Sequence, residues 1–493
     1  MSEEPHRLSK SRFVCGLQCH RQLWWRVHEP DAPELQPAPE LQAVFDRGTR
    51  VGEVAQTHVP GGELIGFEHH EVEQKLAATR EALDRGVPVI YEAAFREDGV
   101  FVAVDILERV AGGFVLIEVK STAGVKPQHL HDAAVQTHVL RKAGLDVVRA
   151  ELMHLNRECR YPDLSDLFLR QDVTEAVEAF LPSVPGEIAA QQSMLGRPLP
   201  EVDPGDQCHS PYQCPFWKRC WPERPEHHVS TLYRARHRGA ELVAQGFETI
   251  FDLPEDLELG AIAARQLRSV QQGEIVVEPG LAQALAELEP PLAFLDFETV
   301  ALPIPVWDGC RPYDPVPVQF SCHVQQGDGE PVHREFLAEG PGDPRPVLAR
   351  AMLEACRGAR SVLTYNISFE RSRIRELAAS LPQLADELEE LVQRLADLLP
   401  IVRNHVYHPD FGGSFSIKRV LPALVPDLSY QGLDIADGEA ASVSLERLLF
   451  EGGSMETAGR DSLRRALLDY CRMDTLAMVR LFARLRELAG IRT

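Results

Sequence analysis

The sequence predicts an α/β protein with more than one domain, and three observations carry that prediction. At 493 residues the chain is too long for one ordinary hydrophobic core, so two or three domains are expected. Apolar, strand-like runs at 101–108, 113–120 and 292–298 alternate with helix-like stretches, the pattern of layered α/β architecture. The composition, 44% hydrophobic and 25% charged, is that of a folded globular chain.

No run of eighteen apolar residues occurs, and the opening M-S-E-E-P-H-R lacks a signal-peptide core. A soluble cytoplasmic protein with no membrane partner is therefore expected. The net charge of −23 argues mildly against tight non-specific binding of nucleic acid, although a local basic groove is compatible with an acidic total. Ten cysteines in a chain of this size do not suggest a disulfide framework.

Residues 1–224 hold a strand pair, helices and a cysteine triplet, with proline-rich text at 30–40. Residues 225–288 read as a helical linker. Pro290 and Pro291 mark a boundary, and 289–493 alternate between strand and helix as a further α/β domain.

Within the first domain, F-V-A-V-D-I-L-E-R-V-A-G-G-F-V-L-I-E-V-K-S (101–121) reads as a β-hairpin turning at Ala111 and Gly112. Val110 then faces Gly113, and Asp105 sits directly opposite Glu118. One face carries Val102, Val104, Ile106, Val115, Ile117 and Val119 as an unbroken apolar layer. The other carries Asp105, Glu118 and Lys120. Like charges directly opposite destabilise a strand pair, and a divalent cation resolves the repulsion, since two carboxylates about 5 Å apart can share Mg²⁺ or Mn²⁺. Lys120 on the same face can orient the attacking water and stabilise developing charge. An Asp followed by an E-x-K strand and a Gln-bearing helix resembles the PD-(D/E)XK nucleases of the RecB-like branch. The resemblance implies a restriction-endonuclease-like domain and assigns Gln136, in D-A-A-V-Q-T-H-V-L, a supporting catalytic role. Leu140 stands where that branch usually has Tyr. Glu53, in R-G-T-R-V-G-E-V-A-Q, is a further acid that an upstream helix can supply.

Cys208, Cys214 and Cys220 are evenly spaced in C-H-S-P-Y-Q-C-P-F-W-K-R-C-W. Three thiolates need a fourth, and Cys15 in F-V-C-G-L-Q-C-H-R is the natural donor, with Cys19 as its substitute. Four cysteines hold either Zn²⁺ or a [4Fe–4S] cluster, and the wide spacing favours iron–sulfur. The order, one cysteine before the nuclease core and three after it, resembles iron–sulfur RecB-like nucleases. The implied role is to staple the ends of the domain.

In the C-terminal segment, L-A-F-L-D-F-E-T-V places Asp296 and Glu298 on one face of a strand. V-L-T-Y-N-I-S-F-E reads as a strand entering a helix, with Glu370 in its first turns. In L-L-D-Y-C-R-M-D-T-L, Tyr470 and Asp474 are four apart and share a helical face. The ordered set Asp296, Glu298, Glu370, Asp474 with Tyr470 resembles the DnaQ-like exonucleases of the ribonuclease-H-like fold, in their DEDDy version. That resemblance implies four acids binding two Mg²⁺ or Mn²⁺ ions about 4 Å apart, with Tyr470 orienting water. Glu370 stands where the family has Asp. G-G-S-F-S-I-K-R-V-L-P (412–422) offers backbone N–H groups and Lys418 to a nucleic-acid phosphate. G-F-E-T-I-F-D-L near Gly246 resembles a helix-hairpin-helix segment.

Over its length the chain resembles bacterial RecB-like nucleases that carry a C-terminal ribonuclease-H-like domain. The expected function is metal-dependent hydrolysis of phosphodiester bonds in DNA or RNA, on single strands or ends, alongside a helicase or other repair or defence partner. The rival expectation is a non-catalytic nucleic-acid-binding or assembly protein, favoured by Leu140 and Glu370.

Overall fold

The computed structural model describes residues 8–68, 70–221, 223–234, 236–326 and 329–491. It is a mixed α/β structure whose chain contacts form two units, 1–222 with 302–314, and 223–301 with 315–493. No helix among the described residues is long and apolar enough to cross a membrane.

The first unit is built on β1 (Leu8–Ser9), β2 (Gly62–Leu64), β3 (Val89–Glu97), β4 (Val100–Val110), β5 (Gly113–Lys120), β6 (Val147–Leu155) and β7 (Phe168–Asp172). The sheet order is β2-β3-β4-β5-β6-β7, with β1 pairing β4. β3, β4 and β5 form an antiparallel meander, and β6 runs parallel to β5. Five helices matter to the site: α1 (Lys10–Gln18), α2 (His20–His28), α3 (Pro39–His58), α4 (Val72–Asp84) and α5 (Pro127–Lys142). The last of these is the crossover that a parallel β5–β6 pair requires. It is buried on nearly every side, through Ala133, Ala134, Val135, Gln136, Thr137, Val139 and Leu140.

The β4–β5 ladder runs from Val110↔Gly113 to Ile106↔Ile117, the register that the sequence predicts, but it stops there, so the expected Asp105–Glu118 pair is not part of the ladder. Ala111 and Gly112 (φ +88°) make the turn, and Gly113 (φ +151°) opens β5. A Cβ at Gly113 would lie 2.1 Å from the carbonyl oxygen of Asp146, so only glycine fits there.

The unbroken apolar layer expected along β4 does not exist. Val102 and Val104 pack with Leu107, Leu116 and α5 in one core cluster, whereas Ile106, Val115 and Ile117 pack with Ala55 of α3 and with Val59 at its C-cap in another. β4 changes faces at Asp105. β3 changes faces at the same step: Tyr91↔Ile106 and Ala93↔Val104 pair on either side, and between them Glu92 takes a left-handed φ of +58°. Period-two alternation fails where the backbone itself is irregular.

Residues 302–314 also belong to this unit. The Tyr161 N–H donates to the Cys310 carbonyl at 3.0 Å, the Tyr313 hydroxyl donates to the Ser121 carbonyl, and Ile304 packs against Val51, Leu155 and Leu167.

The second unit contains β8 (Val276–Val277), β9 (Leu292–Ala301), β10 (Pro315–Gln325), β11 (Val332–Leu337), β12 (Ser361–Thr364), β13 (Leu395–Asp397) and β14 (Val406–Tyr407). Five of these form a sheet in the order β11-β10-β9-β12-β13. β10 is antiparallel to β9 and β11, while β12 is parallel to β9 and β13. Along β9 the pattern alternates cleanly. Ala293, Leu295 and Phe297 face the helices Arg345–Ala355, Ser368–Ser380 and Ala385–Gln393. Leu292 and Phe294 face the long helix Thr457–Leu488 through Ala477, Leu481 and Phe482.

The stretch 225–288 that reads as a linker groups with this unit. It has a small core of its own around Val229, Leu242, Ile250 and Leu267. Arg265 donates to the Arg403 carbonyl at 2.8 Å and the Ser269 hydroxyl to the Tyr407 carbonyl at 3.2 Å.

Candidate functional site

Two acidic clusters and one group of cysteines gather the residues singled out by the sequence. In the first unit, Glu118 extends the Leu116 face of β5 toward α5, where Asp132 and Gln136 are one turn apart. Gln136 donates to Glu118 Oε2 at 2.7 Å. Lys120 donates to Glu118 Oε1 at 2.8 Å and to Asp132 Oδ2 at 2.6 Å. Asp105 accepts from the Val119 amide at 2.6 Å, which anchors it beside Glu118. Burial first and then the Glu118 charge push the Asp105 carboxyl up to about 7.

Two residues here were missed by sequence reasoning, Asp132 on α5 and Lys10. Lys10, at the start of α1, donates to both oxygens of Glu118, at 2.8 and 3.0 Å. Burial opposes ionisation of Glu118, but Lys10 and then Lys120 overcome it and hold this carboxyl well below the usual range. Lys10 and Lys120 thus supply part of the positive charge that the sequence reading assigns to a divalent ion. The residues are of the type that binds Mg²⁺ or Mn²⁺, yet the lone pairs of Glu118 are engaged by Lys10, Lys120 and Gln136. Glu53 is not at this site: its side chain is 57% exposed and pairs with Arg50 at 2.9 Å. Leu140 is fully buried in the main core, so no phenol hydroxyl is presented from that turn of α5.

Cys15 lies in α1, and Cys19 joins α1 to α2. The loop carrying Cys208, Cys214 and Cys220 folds onto them. The Cys214 thiol is pushed up to about 11 by burial, to which Cys19, Cys208 and Cys220 add, and the Cys15 thiol up to about 12 by burial, to which Cys214 and Cys19 add. The other four cysteines thus all interact electrostatically with Cys214, and both candidates for the fourth ligand are among them. Arg21 Nη1 lies 3.8 Å from Cys220 Sγ, and Arg26 hydrogen-bonds Cys15, contacts that favour thiolates. Among the described residues, no three of these sulfurs lie within 4.8 Å of one another. A zinc tetrahedron with bonds of about 2.3 Å requires sulfurs about 3.8 Å apart, so the cage is wider than zinc needs.

In the second unit, Asp296 and Glu298 follow Leu292 and Phe294 onto the face of β9 covered by the helix Thr457–Leu488. That helix supplies Asp474 and, one turn earlier, buried Tyr470. Ligand oxygens of Asp296, Glu298 and Asp474 all lie within 4.8 Å of one another. Opposite Glu298, a β-bulge between Pro317 and Gln319 locally re-aims the strand.

Charge here is only partly compensated. Burial and the neighbouring Asp474, Glu298 and Glu370 raise Asp296 well above its ordinary value. Burial, with Asp474, pushes Glu298 up to about 8, and burial pushes Asp474 up to about 6. Glu370 is 3% exposed and stands outside the tight trio. Burial raises it to about 7, and its Oε2 has no hydrogen-bond partner. Near it, Asp397 holds the strand-to-helix turn by accepting from the amides of Asn366 and Ile367 at 3.0 and 3.2 Å. An orphaned buried carboxylate oxygen and three crowded acids fit a divalent-cation centre.

Lys418, in the helix Ile417–Leu424, lowers Glu298 and Asp474 electrostatically. Its Nζ sits 5.6 Å from the Tyr430 ring and 5.4 Å from the Tyr470 ring, and donates to the Ala436 carbonyl at 3.1 Å. Tyr430 is a further residue that sequence reasoning missed. Its hydroxyl donates to Asp474 Oδ1 at 2.7 Å. Behind the trio, Thr475 bonds Ser321 at 2.6 Å and His323 at 2.8 Å, tying the long helix to β10; Ser321 is the cross-strand partner of Asp296.

Residues 293–416 match the model of a family described as a domain of unknown function, DUF2779. The match begins on β9 and takes in Asp296, Glu298 and Glu370. It ends before Lys418, Tyr470 and Asp474. No curated protein matches the chain.

Proposed function

We propose that this chain is a metal-dependent nuclease that hydrolyses phosphodiester bonds of DNA or RNA. The observation that carries the reading is the trio Asp296, Glu298 and Asp474, whose oxygens lie within 4.8 Å of one another with raised carboxyl pKa values. Acids this close share protons until a multivalent cation replaces them. A sheet ordered β11-β10-β9-β12-β13 with antiparallel β10 supports a ribonuclease-H-like second domain of DEDDy type. The β3–β4–β5 meander followed by α5 and parallel β6 supports a restriction-endonuclease-like first domain with a RecB-like site.

Divalent ions bound at the second site would activate water and stabilise the leaving oxygen. Asp296, Glu298 and Asp474 would hold them, with Glu370 bringing a further oxygen from the adjoining helix. Tyr470, packed beside these acids, orients the water. Lys418 offers positive charge to a substrate phosphate on leaving Ala436. In the first site, Lys120 is the catalytic lysine, Asp105 and Glu118 are the acids, and Gln136 fixes Glu118 from α5. The five converging cysteines are read as a [4Fe–4S] staple drawing four ligands from Cys15 or Cys19, Cys208, Cys214 and Cys220.

Mn²⁺-dependent digestion of end-labelled single strands tests the reading, with wild type, Lys120→Ala and Asp474→Ala compared on DNA and RNA. Loss of cleavage in Asp474→Ala assigns cutting to the second site, and loss in Lys120→Ala to the first. Absence of cleavage by anaerobically purified wild type on every strand would sink the enzyme reading. Iron analysis, together with an absorption band near roughly 400 nm, separates iron–sulfur from zinc.

A further inference from the structure

Lys10 is not a wandering surface side chain. Its backbone is pinned on both sides: Leu8 and Ser9 pair with Val100 and Phe101 of β4, and Ser9 caps α1 by accepting the Arg12 amide at 3.3 Å. The side chain is 24% exposed and reaches inward. Its ammonium meets both oxygens of Glu118, at 2.8 and 3.0 Å, and lies in the field of Asp105 and Asp132 as well. Lys120 and Gln136 take the remaining sides of the same carboxylate.

A divalent ion that takes Glu118 as a ligand must approach the lone pairs that Lys10 now holds. Two cations at such spacing repel strongly where solvent is largely excluded. Ammonium and metal are therefore alternatives, not neighbours. We propose that Lys10 is the resident counter-ion of the first acid site, and that a divalent cation binds Glu118 only by displacing it. This rests on reading Glu118 as a metal ligand. The consequence is a site that stays neutralised at rest and loads only at an ion concentration that outcompetes the lysine.

The test uses the full chain carrying Asp296→Asn, which silences the second acid cluster. Free Mn²⁺ is followed by electron paramagnetic resonance during titration. Lys10→Met in this background is expected to tighten Mn²⁺ binding about tenfold, the weight of a charge-assisted contact that no longer competes. In the chain that retains Lys10, limited acetylation read by mass spectrometry should rise at Lys10 when Mn²⁺ is added. Unchanged or weaker binding by Lys10→Met overturns the proposal, and so does Lys10 labelling that ignores Mn²⁺. The labelling arm decides the matter if Lys10→Met does not fold. Glu118→Gln separates the two failures. If it leaves Mn²⁺ binding intact, the metal-ligand reading of Glu118 falls and the proposal with it. If it removes binding while Lys10→Met changes nothing, only the proposal falls.

Discussion

Glu118 and Asp296 are both strand carboxylates aimed at a covering helix, yet their surroundings have opposite character. Glu118 is enclosed by Lys10, Lys120 and Gln136 and is held ionised. Asp296 is enclosed by Glu298, Asp474 and Glu370 and is driven toward its protonated form. The first cluster brings two cations into contact with its carboxylate, while the second, with only Lys418 acting on it, leaves a demand for positive charge largely unmet. Buried charge is stable only when paired or coordinated, so the two units have solved one problem in two ways. The second solution leaves room for a metal, and the first makes a metal compete.

The largest effect that can break this comparison is catalytic. If the second-unit trio is the metal centre, Asp474→Asn should lower Mn²⁺-dependent cleavage about a thousandfold, matching several kcal/mol of lost charge stabilisation. Cleavage that survives Asp474→Asn but disappears in Lys120→Ala would reverse the ranking of the two sites.

Next in size is a difference in the sign of pH dependence. Glu298 and Asp474, raised to about 8 and about 6, bind protons more tightly in the folded chain than in the unfolded one. Their contribution to stability is full below their ordinary values of 4.5 and 3.8 and is lost as pH rises through the raised values. Glu118 behaves oppositely: its contribution is present above 4.5 and is lost as pH falls below that. The metal-free second unit should therefore melt about 3 °C or more lower at pH 8 than at pH 5. Mn²⁺ should cancel the difference, and Asp296→Asn should reduce it. Calorimetry across that range checks the sign, and a slope that Asp296→Asn leaves untouched would show that the trio does not cause it.

Much of this was legible in the chain, and the reason is geometric. Period-two alternation places Asp296 and Glu298 together because β9 is regular from Leu292 onward. Four-residue spacing places Tyr470 beside Asp474 because both lie within one uninterrupted helix. The β4–β5 register was legible because a two-residue turn at Ala111 and Gly112 permits few alternatives. Partners drawn from afar were not legible. Lys10 is 108 residues from Glu118, and Tyr430 is 44 from Asp474, with no periodicity linking either pair. The face switch at Asp105 depends on the conformation of Glu92, a residue on another strand. Residues 225–288 read as a linker because their core is small, and only contacts such as Arg265 to Arg403 tie them to the second unit.

A finer test of the comparison concerns how each carboxylate is oriented. In the first site two of the three donors on Glu118, Lys10 and Lys120, are charged, so they compete with a metal. In the second, the donor on Asp474 is the neutral Tyr430 hydroxyl, at 2.7 Å on Oδ1, which can orient the carboxylate without repelling a cation. Hydrogen bonds of this kind to ligands tune metal affinity by about 10–100-fold. Tyr430→Phe should therefore weaken Mn²⁺ binding about tenfold, in a Glu118→Gln background that removes the first site's contribution. This is the reverse of the tightening expected for Lys10→Met. If Tyr430→Phe tightened binding instead, the phenol would be a competitor like Lys10, and the distinction between the two sites would collapse.

The smallest expected effect is a control on where the first site ends. Glu53 pairs with Arg50 three residues earlier on α3, and both side chains are more than half exposed. Exposed pairs of this kind contribute about 0–1 kcal/mol, and Glu53 does not belong to the network that joins Lys10, Lys120, Asp105 and Asp132 to Glu118. Glu53→Gln should leave cleavage and Mn²⁺ affinity within about twofold of wild type and change stability by no more than about 0.5 kcal/mol. A clear loss of metal affinity would place a further carboxylate at the first site. Its balance of acids and lysines would then shift toward negative, and with it the reason for treating the first site as neutralised and the second as hungry for a cation.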